Sequence, residues 1–592
     1  MAGKKCGLIF FVKSAMLLTA LGGLMSCAYD DSGQGKIFRD ATEESGLNFV
    51  HSATADACYF MPESIGSGVA LLDYDNDDDL DIYLVNLASH HPEKTEQQAE
   101  VNRLFRQEES GVFVDVTAES GIGDAGIGMG ATVGDFNNDG FADVYVTNYG
   151  PDALYKNNGD GTFTDVTEAA GVLNDKWACS AIFFDFDLDG FLDLYVTNYV
   201  DYDSSFKCPD KAGRLEYCGP KAFTGVSDVL FKNTGDGSFT DVTWKTGVGG
   251  VAANGLGVVS ADFNNDGFPD LYVANDAEPN TLWINQKGEG FQDQALEFGV
   301  ALNEMGREEA SMGVALGETR EGAYPDLFIS HLRSESNTLY RYSNSSGYED
   351  LSAAAGFGAP ELISYTGFGA GFLDFDNDGD YDLAVANGRI LRAPILTESE
   401  PVTRWDHYAE PNSLLENDGG RYLFSHLRQD PFCKNIEMTR GLAFGDIDND
   451  GDVDMVASNI GSQARLYLNE AGGRGAWLTV SAIDPILKRD AVGAKIRVKT
   501  KSKTYTKFVA PAYSFLSSND FRVHFGLGAE DRVEEIVIEW PGGEVEVFPG
   551  VAANQFVVLK KGQTGKSSAA REKAESQVPK AAISRDYAQN AF

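Results

Sequence analysis

Positive charge is scarce in this chain. Its 592 residues hold 47 lysines and arginines against 90 aspartates and glutamates, a net charge of −43. Such a balance does not favour nucleic acid, because phosphate binding rests on cationic side chains that displace counterions. Histidine is equally sparse, with seven copies scattered along the chain. There is no Ser-centred nucleophile elbow, no Walker loop and no His-Glu-x-x-His zinc helix. Beyond the N-terminus no apolar stretch is long enough to cross a membrane as a helix. What is not lacking is core-forming sequence. A hydrophobic content of 43% is ordinary for globular proteins, so disorder is not the reading. The length exceeds one ordinary core and points to several domains or a repeat array.

What is there in abundance is one short acidic loop. Asp135-Phe-Asn-Asn-Asp-Gly-Phe-Ala-Asp143 places side-chain oxygens of Asp135, Asn137, Asp139 and Asp143 at loop positions 1, 3, 5 and 9. The carbonyl of Phe141 stands at position 7, and Gly140 permits the sharp turn. Calcium takes six to eight hard oxygens in flexible geometry, and this spacing matches the first part of an EF-hand loop. It is not an EF-hand: position 12 is Val146, and the following residues alternate as a strand. The bidentate role falls to Asp143.

The loop recurs. Intact copies hold Asp73, Asp75, Asp77, Asp79 and Asp81; Asp185, Asp187, Asp189, Phe191 and Asp193; Asp262, Asn264, Asp266, Phe268 and Asp270. Two more hold Asp374, Asp376, Asp378, Asp380 and Asp382, and Asp446, Asp448, Asp450, Asp452 and Asp454. A seventh copy, Glu318 to Asp326, keeps the last Asp and has lost most ligands, so it should bind no calcium. About six Ca²⁺ sites are therefore expected. Their charge would relieve repulsion inside the loops and leave the surface acidic. In the first copy Asp78 replaces the turn Gly. Asp tolerates the left-handed region, so that site is expected to be weaker but present.

Each intact loop runs into a strand ending in Asn, at Asn86, Asn148, Asn198, Asn275, Asn387 and Asn459, with His331 in the degenerate copy. A Leu-aromatic phrase follows, as in Leu154-Tyr-Lys-Asn157, and then a Phe-x-Asp-x-Thr phrase, as in Phe163-Thr-Asp-Val-Thr167. Asp160-Gly161 and Asp236-Gly237 are hairpin turns. Seven units of about four short strands predict an all-β, seven-bladed β-propeller. A lone Phe-x-Asp-x-Thr phrase opens the chain at Phe38–Thr42, and the last unit ends at Leu466–Asn469 without one. The first strand is therefore expected to complete the last blade. A solenoid is the rival and would keep those segments apart.

The expected organisation is a signal peptide of lipoprotein type over 1–26, a linker over 27–36 and the propeller over 37–472. A small β domain follows over 473–561, then a disordered tail over 562–592. Lys4 and Lys5 precede a short apolar run that reads as an export signal. It ends in Leu24-Met25-Ser26-Cys27, which resembles a bacterial lipobox and implies a lipid on Cys27. Ala28 then points to the outer membrane or cell surface. Cleavage near Ser26, giving a soluble periplasmic or secreted protein, is the alternative.

Export makes disulfides permissible. Cys208 and Cys218 flank a short insertion and are the favoured pair. Of Cys58, Cys179 and Cys433 two could pair and one stays over; a buried inert thiol is the default for each. In the C-terminal domain Lys495, Arg497, Lys499, Lys501 and Lys503 fall at every second position. As a strand this gives one basic face, either solvated or docked on the acidic propeller or on an anionic partner.

The repeated Asp-x-Asn-Asn-Asp-Gly-x-x-Asp loops resemble the FG-GAP/VCBS repeats of integrin-α-like propellers. Val492-Gly-Ala-Lys, Tyr513-Ser-Phe-Leu-Ser-Ser-Asn519, His524-Phe-Gly-Leu-Gly528 and Ile538-Glu-Trp-Pro-Gly-Gly543 resemble the ASPIC/UnbV domain. The combination resembles the cartilage acidic protein family and its bacterial members. The resemblance implies a calcium-binding, extracellular, non-enzymatic propeller, with the ligands on the loops named above.

Two functions are carried forward. The first is a surface interaction or adhesion module for an unknown protein or glycan, with calcium holding blades in shape. The second is an exported enzyme or carbohydrate-binding protein using the channel or upper face. No catalytic residue is assigned. His51, the Tyr59–Glu63 segment and His90-His91 could approach a propeller mouth, and a structural histidine is the commoner outcome. A plugged channel with an aromatic patch would favour the first reading, and a deep channel with converging carboxylates the second.

Overall fold

The computed structural model describes residues 36–52, 59–87, 100–109, 111–317, 324–343, 347–396, 402–424, 427–471, 474–563 and 568–569. Cys27, Cys58, His90, His91 and most of the degenerate loop lie outside them.

Two local devices build each sheet. The Phe-x-Asp-x-Thr phrase is a staple: Asp165 Oδ1 accepts from Thr167 N at 3.0 Å and from its hydroxyl at 2.6 Å, and Leu154 N donates to that hydroxyl at 2.8 Å. The Leu-aromatic strand is thereby tied to the outer strand. The acidic loop is the other device, joining the two inner strands. In this way Gly128–Gly134, Asp143–Asn148, Ala153–Asn157 and Phe163–Asp165 form an antiparallel sheet in chain order.

The described residues hold seven such sheets, numbered here in chain order by their innermost strands: Val69–Leu72, Gly128–Gly134, Ala178–Phe184, Gly255–Ala261, Ser311–Gly317, Gly367–Leu373 and Thr439–Gly445. Each innermost strand packs on the next and the last packs on the first, which closes a propeller-like ring. The strand Phe38–Asp40 supplies the outer edge of the seventh sheet, with Phe38 opposite Asn469 and Asp40 opposite Tyr467. Leu466 N donates to the Thr42 hydroxyl at 3.0 Å, the same staple as elsewhere. The ring thus closes as the phrase at Phe38–Thr42 predicts, and the solenoid is excluded.

The inner strands approach so closely that side chains do not fit everywhere. A Cβ on Gly313 would lie 2.1 Å from Phe368 O, and one on Gly68 would lie 2.3 Å from Leu516 O.

Leu516 belongs to the C-terminal region, which enters the ring axis. Ser517–Ser518 pairs parallel with Val69 and Ala70 of the first sheet. Ser514 exchanges two backbone hydrogen bonds with Val314 of the fifth, at 3.0 and 2.7 Å. Ala370 N donates to Ser514 Oγ at 3.0 Å and Phe444 N to Asn519 Oδ1 at 2.9 Å, tying in the sixth and seventh sheets. From the other end the buried turn Met61–Ser64 enters the axis. Buried Arg440 bridges the two: it donates to Ser64 O at 2.9 Å and lies over Phe368, whose ring is 5.1 Å from Phe515.

The rest of the C-terminal region forms two small sheets on a core that includes Leu478, Val498, Phe525, Ile536 and Trp540. Among the strands that escaped the sequence reading are Thr504–Phe508 and Val545–Pro549. The basic run is shorter than alternation suggests. Its strand is Lys495–Lys499, with Ile496 and Val498 buried, and the chain bends at 501–502. Lys503 of that set reaches the ring, donating to Gly379 O at 2.7 Å and to Asp380 at 2.9 Å. The expected tail begins too early at 562: Gly562 N donates to Glu546, and Ser568–Ala569 pairs with Val557–Val558.

Candidate metal centres

The loops all lie at one end of the ring, under the C-terminal region. In each, the first aspartate organises the turn. Asp135 Oδ1 accepts from Asp139 N at 3.1 Å and Oδ2 from Gly140 N at 2.8 Å. Asp139 Oδ1 accepts from Phe141 N at 3.1 Å. The last aspartate is held by two strands: Asp143 Oδ2 accepts from Phe136 N at 3.2 Å and Oδ1 from Asn157 N at 2.8 Å. The other five intact loops repeat the position-1 and position-9 bonds. Gly140 has φ of 101°, and Asp78, in its place in the first loop, has 73°. Asp therefore does adopt the left-handed turn there.

The oxygens converge. Asp73, Asp75 and Asp81 each offer an oxygen within 4.8 Å of the others, as do Asp185, Asp187 and Asp193; Asp374, Asp376 and Asp382; and Asp446, Asp448 and Asp454. In the second and fourth loops Asn137 and Asn264 stand at position 3. Where position 7 is Asp, its side chain turns outward: Asp79 accepts from Asn449, Asp452 from Asn377 and Asp380 from Lys503. That leaves the backbone carbonyl for the site.

The electrostatics call for a cation. Burial pushes the Asp193, Asp270 and Asp446 carboxyls up to about 8 and Asp73 up to about 7. Asp81, Asp143, Asp382 and Asp454 are pushed well above the usual range, also chiefly by burial. Three position-3 oxygens, Asp75 Oδ1, Asp187 Oδ1 and Asp448 Oδ1, are shielded from solvent and have no hydrogen-bond partner. Buried polar atoms are normally satisfied, so these fit a hard cation bound among them.

The fifth sheet answers the same demand differently. Its Asp326 accepts from Arg341 Nε at 2.8 Å. The guanidinium supplies positive charge where the loop has lost its ligands. Nothing in the sequence marked Arg341, which reads as one more strand cation. Its counterpart in the third sheet, Lys232, pairs with Asp187 and Asp189 of an intact loop.

The C-terminal region grips this end. Arg489 donates to Asn138 Oδ1 at 2.9 Å and to Gly190 O at 3.2 Å. Arg522 donates to Asn449 Oδ1 at 2.6 Å and to Asp446 O at 2.7 Å.

The opposite end is aromatic. Phe60, Tyr149, Trp177, Tyr202 and Phe223 pack edge to face or tilted, with centroids 5.1–5.9 Å apart, and half-exposed Phe206 continues the cluster. A disulfide joins Cys208 and Cys218, and beside it Tyr217 donates to Glu63 at 2.8 Å. The insertion is thereby fastened to the turn that fills the axis. Cys179 and Cys433 are buried, free thiols and do not pair with each other. His51 is buried, and burial lowers it to about 3. Among the described residues no histidine joins a metal-holding group.

Comparison with known proteins agrees with the sequence resemblance. The FG-GAP-like repeat family matches residues 73–146, 135–196 and 222–273, and the ASPIC and UnbV family matches 486–566. Cartilage acidic protein 1 of Xenopus tropicalis is 25% identical over 352 residues, which is 56% of this chain and 42% of that protein. The Homo sapiens protein is 27% identical over 199 residues, 31% of this chain and 29% of its own. The chain thus spans less than half the length of these relatives. Among solved structures, an Agrocybe aegerita lectin that recognises non-reducing terminal N-acetylglucosamine has a TM-score of 0.38 at 14% identity, over 67% of this chain and 87% of its own. BBS1N in complex with ARL6DN has a TM-score of 0.35 at 9% identity, over 73% and 97%. Likeness at that level does not bear on ligands. The chain is built of FG-GAP-like repeats followed by a C-terminal ASPIC and UnbV domain, and it is similar to cartilage acidic protein 1 over part of its length.

Proposed function

We propose that this protein is an exported, calcium-stabilised interaction module with no catalytic role, held at the cell surface through Cys27. The observation that carries interaction over catalysis is the filled axis. Propeller ligands commonly sit in the channel, and here Leu516 and Phe515 enter from one end and the Met61–Ser64 turn from the other. Charged and ring groups in the joint between ring and C-terminal region are already engaged. Asp520 pairs with Arg522 at 2.8 Å, and His524 Nε2 lies 3.0 Å from Gly451 O. That leaves the aromatic end as the surface for a protein or glycan, with Phe206 exposed and Phe60, Tyr149, Tyr202 and Phe223 partly so.

Calcium is assigned to the six intact loops because they share one ligand spacing, and in three of them a shielded, unpartnered oxygen calls for a hard cation. The disulfide supports export, since such bonds persist in oxidising compartments. The test uses the full chain on native envelopes in calcium. Saturable binding that Phe206→Ala with Phe223→Ala removes supports the reading. Binding that survives both substitutions, or turnover of a substrate by the purified protein, overturns it.

A further inference from the structure

Resting on that assignment of calcium to the loops, we infer that the loops do not fill independently. The asparagine at position 4 of a loop is a positioning residue for the next loop around the ring. Asn76 Nδ2 donates to Gly140 O of the second loop at 2.9 Å, and Asn138 Nδ2 donates to Gly190 O of the third at 3.0 Å. Asn377 Nδ2 donates to Asp452 Oδ1 of the last loop at 2.6 Å, and Asn449 Nδ2 closes the circle onto Asp79 Oδ1 of the first at 2.9 Å.

The geometry makes these bonds consequential for a metal. Position 4 lies between ligand positions 3 and 5, and each bond lands on position 6 or 7 of its neighbour, beside or on the residue whose carbonyl is a ligand. All four asparagines have φ between 57° and 59°, so the side chain is aimed by a backbone turn that forms with the loop. An ion that fixes one loop therefore fixes the donor or acceptor that orders the next. The second ion then meets a loop whose ordering cost is already met in part, which is positive coupling without a large shape change.

The belt has gaps. In the third loop Leu188 takes position 4 with φ of 60° and offers no donor. In the fourth, Asn265 has φ of 59°, but the next loop around the ring is the degenerate one, which has lost most calcium ligands. The sixth, seventh, first, second and third sheets thus form one linked series, and the fourth stands outside it. Arg489 and Arg522 bind two of the linking asparagines, so the C-terminal region clamps the series itself.

The test compares Asn76→Gly with Asn265→Gly in the full chain. Glycine keeps the left-handed turn in both, and neither asparagine contacts a C-terminal arginine. Calcium is titrated calorimetrically into chelator-stripped protein. Wild type should take up calcium with a Hill coefficient above one. Asn76→Gly should lower that coefficient and separate the uptake into phases, and Asn265→Gly should match wild type. Independent sites in wild type, or equal behaviour of the two variants, overturns the coupling while leaving the calcium assignment intact. No uptake at all overturns the assignment itself.

Discussion

Asp143 in the second sheet and Asp326 in the fifth occupy the same place, the first residue of the strand that leaves the loop. Both are buried. Asp143 is held by two backbone N–H groups and faces Asp135 and Asp139 across an acidic cavity. Asp326 instead faces Arg341. The difference teaches that each blade needs a positive charge at this point, and that a metal ion or a guanidinium can supply it. An arginine is permanent, whereas calcium in the proposed sites would make the blade responsive to its surroundings.

Chelation is the strongest way to break the comparison. Each site filled at a hundredfold excess over its Kd contributes about 2.7 kcal/mol, so verified calcium removal should lower Tm more than any single substitution. An unchanged melt would mean the six loops need no metal. Next, Arg341→Leu takes the guanidinium away from buried Asp326 and should cost about 3–5 kcal/mol, in calcium and in chelator alike. Rescue of this variant by calcium would show that the two solutions are not exclusive.

The pH response sharpens the same contrast. In chelator, the folded protein holds Asp193, Asp270 and Asp446 with pKa near 8, against an ordinary value of 3.8. A raised folded pKa stabilises where the group is protonated, and that stabilisation is lost as pH rises toward 8. The calcium-free protein should therefore melt at lower temperature at pH 8 than at pH 6.5. In saturating calcium the slope should vanish or reverse, because protons then compete with the ion. Melts by circular dichroism at the two pH values check this.

The smallest effect expected is at Lys232, which is partly exposed and pairs with two ligands of the third loop. Lys232→Met should tighten calcium binding there by a fewfold, within the ~0–1 kcal/mol of exposed ion pairs, measured by site-resolved lanthanide luminescence. Weaker binding would make the lysine a supporter of the loop instead of a rival for it.

The ring could be read from the chain because its information is local. Alternate-position oxygens from Asp135 to Asp143 and the Asp165–Thr167 staple act over a few residues, and they repeat. Closure was legible for the same reason, since Phe38–Thr42 carries the staple without its sheet. The axial segment was not. Tyr513-Ser-Phe-Leu-Ser-Ser-Asn519 has neither strand nor helix period, and its partners, such as Val69 and Val314, lie hundreds of residues away. Arg341 escaped notice because a cation on a strand ordinarily points to water, and only its partner at Asp326 reveals its role. The docking of Arg489 and Arg522 on carbonyls and asparagines left no pattern in the sequence at all.

The closing strand has a consequence in time. Phe38 is synthesised early, yet its partner Asn469 comes more than four hundred residues later. Until then the seventh sheet has no outer edge and the first inner strand no neighbour on one side. The axial segment arrives later still, with Ser514 and Leu516. Pairings of such long range are slow to form, and open strand edges are templates for wrong partners. A chain stopped anywhere before residue 469 cannot close, and one stopped before 514 closes around an axis filled from one end alone. For this protein the dangerous interval is the stretch of synthesis that leads up to residue 469, when nearly every sheet exists and the ring does not.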